Sequence, residues 1–280
     1  MAQSFRIGTV GSPKSTPKKP GGSIGAVQQI RALGLSALEL GWVQSVRVSE
    51  ETCLAIRKEA EIQDVGISVH APYFINLNAD DEEWPKSRTR LMDAAIYGNL
   101  AGATDIIFHP GSYFEKAPDE VLNIAIPRLS GCIEELRKAG NPVILRPETM
   151  GKSAMLGSLE DTLEMSRSIP GVLPCLDFAH LHARAAGKEN SKSEWFIQLE
   201  KIEKIIGKSA LQSLHIHLSG IEYTAKGERN HLPLKESDFN LRELLETLSA
   251  AGCSGRILCE SPILEEDALY IQEVLHQVQT

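Results

Sequence analysis

Eight short runs rich in β-branched residues alternate with eight helix-like stretches along 280 residues, and no Pro/Gly/Ser-rich linker divides them. These two observations predict a closed (β/α)8 barrel, the TIM-barrel architecture, as one domain over 1–280, because strand–helix alternation builds a parallel sheet and eight such units close it. A doubly wound open sheet is the other arrangement such alternation permits. However, no GxGxxG follows the first run and no GxxxxGK[ST] occurs anywhere, so the usual nucleotide cradles are absent.

In chain order the strands are expected at 5–10, 37–40, 66–70, 105–109, 143–148, 172–177, 213–217 and 256–260. The intervening helices are expected at about 23–34, 49–62, 86–101, 117–139, 158–167, 193–206, 239–250 and 264–278. In the third helix Leu91, Ala94, Ala95 and Gly98 recur at helical spacing. Ser23, Ser49, Ser158 and either Ser237 or Asp238 stand where N-caps belong, since a short side-chain oxygen there accepts an otherwise unpaired amide.

The composition, 42% hydrophobic and 24% charged, is that of a globular domain, and no run of about 18 apolar residues offers a membrane span. The start, MAQSFRIGTV, lacks a basic segment followed by an apolar one, so no leader is expected. Five scattered cysteines, 53, 132, 175, 253 and 259, mostly within apolar runs, do not form a disulfide framework and point to a cytoplasmic protein. A monomer is expected. The formal charge of −8 excludes a protein that coats nucleic acid by global attraction. It does not exclude a carboxylate cluster carrying metal ions, because net charge counts the acids and omits the metals.

The polar residues fall at one end of the expected barrel, the C-terminal strand ends that form the active face of this architecture. The third strand ends in His70, the fourth in His109, the fifth in Glu148 and the eighth in Glu260. The sixth, in CLDFAH, ends in Asp177, with His180 just beyond. The seventh carries His215 and His217 on one face, and the loop after it holds Glu228, Asn230 and His231. A lone histidine at a strand tip is usually a satisfied structural residue. A ring of them with clustered acids is different, because unbalanced carboxylates repel and their desolvation is costly. Mixed His/Asp/Glu ligation suits zinc, or manganese or iron. One catalytic zinc uses three protein ligands, so eight or nine candidates suffice for two or three ions.

Together these segments resemble the endonuclease IV family of apurinic/apyrimidinic endonucleases. The likeness covers nearly the whole chain, in order: HAPYFINL, FHPG, PETMGK, CLDFAH, LHIH, ERNH and LCES. It implies a zinc centre of two or three ions. His70, His109 and Glu148 would hold the first ion. Glu148 would bridge to a second, completed by Asp177, His215 and Glu260, and His180 and His231 would hold the third. The family's final ligand pair is Asp-x-His, where this chain has Arg229-Asn230-His231. Arginine is no ligand, so either Glu228 reaches in at another spacing, Asn230 contributes, or the third ion is absent. By the same comparison His217 and His182 are not ligands. Tyr73 and Phe74 match positions that wedge into a duplex at a lesion, core packing being the plain alternative. Lys14, Lys18 and Lys19 in the first loop would hold phosphates, or belong to a solvated loop, and Arg47 is a weak counterpart of a second-loop arginine.

Two activities follow. One is a metal-dependent phosphodiesterase with Glu148 as its catalytic residue, incising DNA at abasic sites. The other is a sugar isomerase or epimerase using one divalent ion held by Glu148, Asp177, His215 and Glu260, since fold alone does not decide function. Surplus histidines favour the first reading, net charge the second. A metal-storage barrel ranks below both.

Overall fold

The computed structural model describes residues 5–280. Residues 1–4, part of the stretch read for a leader, lie outside the described residues. Eight parallel strands form the barrel: β1 (Phe5–Val10), β2 (Ala37–Gly41), β3 (Gly66–His70), β4 (Ala103–Phe108), β5 (Ile144–Pro147), β6 (Cys175–Asp177), β7 (Leu214–Leu218) and, after the hairpin β8 (Gly220–Thr224)–β9 (Gly227–Leu232), β10 (Gly255–Cys259). Their order is β5-β4-β3-β2-β1-β10-β7-β6. The two end strands meet through the parallel bridges Leu145↔Val172 and Glu148↔Cys175, which close a (β/α)8 TIM barrel. β6 is shorter than the expected 172–177 because Pro174 has no N–H for the ladder.

The helices α1 (Gly22–Ala32), α2 (Glu50–Gln63), α3 (Trp84–Leu100), α4 (Pro118–Lys138), α5 (Leu159–Ser168), α6 (Phe178–Arg184), α7 (Lys192–Ile206), α8 (Leu241–Ala250) and α9 (Glu265–Gln279) follow the strands. Their apolar faces, with Ile30, Ile56, Leu91, Leu129, Leu163, Trp195, Leu244 and Ile271, are buried in one core cluster between helices and sheet. Ser49 and Ser158 cap as expected, Ser158 within a full capping box. Two caps differ. Gly21 takes the place expected for Ser23, and Asn240, whose side chain accepts from Glu243 N, replaces Ser237 or Asp238. All five cysteines are buried and free. Among the described residues no helix is long and apolar enough to cross a membrane.

Candidate metal centre

The segment CLDFAHLHARAAG, which leaves β6 in a carboxylate, builds a corner of the centre. Asp177 Oδ1 accepts from His180 N at 2.7 Å, so Asp177 is the N-cap of α6, the helix whose first turn carries His180. Thr149 fastens this corner to β5: its hydroxyl accepts from Asp177 N at 2.8 Å and lies 3.2 Å from Asp177 O. Asp177 Oδ2 is buried without a hydrogen-bond partner. A buried carboxylate oxygen left unsatisfied is costly unless something the structure does not include completes it.

The histidines show the same incompleteness, and their orientation is set from behind. His70 Nδ1 lies 2.9 Å from Ala71 O, His180 Nδ1 2.9 Å from Thr149 O and His231 Nδ1 3.3 Å from Glu260 O. A carbonyl only accepts, so each Nδ1 carries a proton and, whenever the ring is neutral, Nε2 presents a lone pair. Those Nε2 atoms, with His109 Nε2 and His217 Nδ1, face further acceptors. His70 and His109 Nε2 each stand 3.3 Å from Glu148 Oε2. His180 Nε2 stands 3.2 Å from His231 Nε2 and 3.6 Å from Glu228 Oε2. His217 Nδ1 stands 3.2 Å from Glu148 Oε1 and 3.3 Å from Glu260 Oε1. Donors about 2.0–2.2 Å from a tetrahedral zinc stand about 3.3–3.6 Å apart, longer than a good hydrogen bond. The donor types and spacings therefore fit divalent metal ions.

The charges agree. Burial works against a proton on His180, but Asp177, Glu148, Glu228 and Glu260 outweigh it and push its pKa up to about 9. Burial, reinforced by Glu148 and Glu260, pushes Asp177 up to about 6. Without a cation, the ring takes up protons to offset its carboxylates.

Four ligand sets result, with donor atoms within 4.8 Å of one another: three overlap at the rim, His70–His109–Glu148, Glu148–Asp177–His217–Glu260 and Asp177–His180–His231, and the fourth is Cys175–His215–His217. Glu148 and Asp177 each belong to two of them. His217 therefore occupies the place expected of His215. Both face the barrel interior, but a strand advances about 3.3 Å per residue, so His215 lies a layer deeper. There its Nε2 bonds Glu39 Oε2 at 2.9 Å, and it does not reach Glu148, Asp177 and Glu260. His182 is buried apart from the ring, against Asp238 at 3.1 Å.

The hairpin resolves the departure at Arg229-Asn230-His231. Glu222 pairs with Asn230 and Tyr223 with Glu228, which leaves Arg229 as the extra residue of a β-bulge. The bulge rephases the strand, so Glu228 and His231 both approach His180 while Arg229 and Asn230 bond outward to Glu222. Gly227 docks this hairpin on the loop after β5. A Cβ there would lie 2.2 Å from Gly151 O, so only glycine permits the approach.

Tyr73 and Phe74 are 48% and 58% exposed beside the ring, which removes the core-packing alternative. Tyr73 stacks on His109 and Arg90 lies over Phe74. Lys14, Lys18, Lys19 and Arg47 are exposed. Glu39 was missed by sequence reasoning, although a single acid inside the apolar run ALELG is a readable signal. Phe114, also missed, is 60% exposed and lines the same 420 Å³ groove as Tyr73 and Phe74.

Residues 27–277 match the model of the xylose isomerase-like TIM barrel family. The chain belongs to that family. Within it, the chain is 38% identical, over 97% of both chains, to an uncharacterized protein of Methanocaldococcus jannaschii. It is 27% identical to endonuclease 4 of Thermus thermophilus, over 70% of this chain and 71% of that one. A D-tagatose 3-epimerase-like protein has a similar fold, with a TM-score of 0.71 at 22% identity over 91% of this chain and 94% of the other. The similar proteins thus include a nuclease by sequence and an epimerase-like protein by fold, and the donor set has to distinguish the two readings.

Proposed function

We propose that this chain is a metal-dependent phosphodiesterase that incises DNA at abasic sites. The observation that carries this reading is the overlap of three ligand sets through Glu148 and Asp177, which one ion cannot use. Two or three divalent ions, zinc or manganese, would neutralise the carboxylates, activate a water and hold the phosphate oxygens of the scissile ester. Glu148, fully buried and kept ionised by His217, His109 and His70, would supply a carboxylate to two of the ligand sets. Tyr73 and Phe74 supply exposed rings against which bases or a deoxyribose can pack. Lys14, Lys18 and Lys19 supply phosphate contacts. The sequence similarity to endonuclease 4 supports the same reading.

A second reading, a single-metal sugar epimerase, is favoured by one set taken alone: Glu148, Asp177, His217 and Glu260. Elemental analysis with an assay of abasic duplex DNA against a panel of ketoses and aldoses separates the two. The phosphodiesterase requires at least two ions per chain and incision that prolonged chelation abolishes. One ion per chain with sugar turnover and no incision establishes the epimerase instead.

A further inference from the structure

His217 differs from the other ring histidines in what holds it. His70, His180 and His231 turn Nδ1 outward to main-chain carbonyls and Nε2 inward. His217 is reversed: Nδ1 faces Glu148 and Glu260, and Nε2 faces into the barrel interior. No carbonyl backs it there. Its Nε2 lies 3.0 Å from Glu39 Oε1, an ion-pair contact, and neither atom has a hydrogen-bond partner. Both residues are fully buried. Glu39 is itself oriented by its second oxygen, which accepts from Ser68 Oγ at 2.8 Å and from His215 Nε2 at 2.9 Å. Ser68 is the β3 neighbour of Glu39 in the strand register, so the carboxylate is aimed by the sheet.

We infer that Glu39 is a positioning residue for the metal centre: it faces the Nε2–H of His217 as an acceptor, fixes that tautomer and so would present the Nδ1 lone pair to an ion shared with Glu148, Asp177 and Glu260. This rests on the multimetal reading of the ring. Metal-binding histidines generally pass their second N–H to such a partner, and losing the partner costs 10–100-fold in affinity. A carboxylate is required here because one oxygen is already used by Ser68 and His215. In Glu39→Gln the amide oxygen serves those two donors and the NH₂ turns toward His217. The Nε2 of His217 then has to accept, and its proton moves to Nδ1, where it blocks the ligand position. His215 is thereby explained as a support for Glu39 rather than a ligand.

The test titrates Zn²⁺ and Co²⁺ against a competing chelator in the full chain and in Glu39→Gln, with Ser68→Ala as the milder variant. One ion of Glu39→Gln weakens by about 10–100-fold, its Co²⁺ visible spectrum changes, and the ion at His180 and His231 keeps its affinity. Ser68→Ala shifts the same ion less. In the zinc-loaded wild-type chain, ¹⁵N-resolved histidine spectra show the His217 proton on Nε2, which needs no variant to fold. A proton on Nδ1, or Glu39→Gln with wild-type affinity and Co²⁺ spectrum, overturns the role of Glu39 and leaves the ring intact. A wild-type chain that binds one ion or none overturns the multimetal reading itself.

Discussion

At the N-terminal mouth of the barrel, Arg146 donates to Asp105, to Pro174 O at 2.9 Å and to Ser213 O at 3.0 Å. Arg256 stands 3.4 Å from Asp105 and bonds Ile67 O and Thr104 Oγ1, each at 2.8 Å. Every donor named there meets an acceptor. At the C-terminal rim, imidazole nitrogens face carboxylates or one another at 3.2–3.6 Å, and Asp177 Oδ2 has no hydrogen-bond partner. Both mouths are buried and charged, so burial does not separate a structural cluster from a chemical one. Polarity of the contacts does: donor against acceptor is self-sufficient, acceptor against acceptor calls for a cation.

Glu148→Gln breaks the contrast most severely. It keeps the shape and removes the charge common to two ligand sets, so DNA incision falls by on the order of 10³-fold or more and elemental analysis shows fewer ions, with the circular dichroism of the fold unchanged. Retained incision would remove Glu148 from the centre.

Asp105→Asn sharpens the contrast from the other end. Arg146 is left buried without its counter-charge, at a cost of about 3–5 kcal/mol, read as a Tm lowered by about 10 °C, while metal content stays at the wild-type value. The pH dependence has a definite sign. Burial alone would raise the Asp105 pKa, but Arg146 and Arg256 hold it well below the usual carboxylate range. Its contribution to stability is therefore fully present above about pH 4 and is lost as the pH falls below that. In Asp105→Asn this part of the acid slope disappears.

The smallest change is at the hairpin. Replacing His180 and His231 together with alanine lowers metal content by about one ion per chain, with little effect on Tm. Unchanged content would take the Asp177–His180–His231 set out of the centre.

Most of this rim is legible in the sequence, because a strand tip is located by the end of an apolar run, and Glu148, Asp177, His180 and Glu260 each follow one. His215 and His217 are not separable that way: they share a strand face two residues apart, and which reaches the rim depends on where the barrel ends, a property of neighbouring strands. The bulge at Arg229 is equally hidden, since nothing in KGERNH marks which residue is extra. Glu39 escapes because a period-2 pattern does not say that an interior position lies opposite a histidine on β7. The Asp105 cluster needs three strands in register before it exists.

The junction of β5 with β6 gives the barrel a preferred place to yield. A closed sheet acts as a hoop, in which load at any point is carried round the whole ring. Seven junctions here are hydrogen-bonded ladders, that of β3 with β4 interrupted by a register shift, while the eighth is two isolated bridges and a hydroxyl clasp between Thr149 and Asp177. Glu148 stands on one side of that seam and Asp177 on the other. Ions held by both residues would act as a rivet across the weakest part of the hoop. The centre would then be a mechanical fastener as well as a reactive one, and the stiffness of the whole barrel would depend on its being loaded.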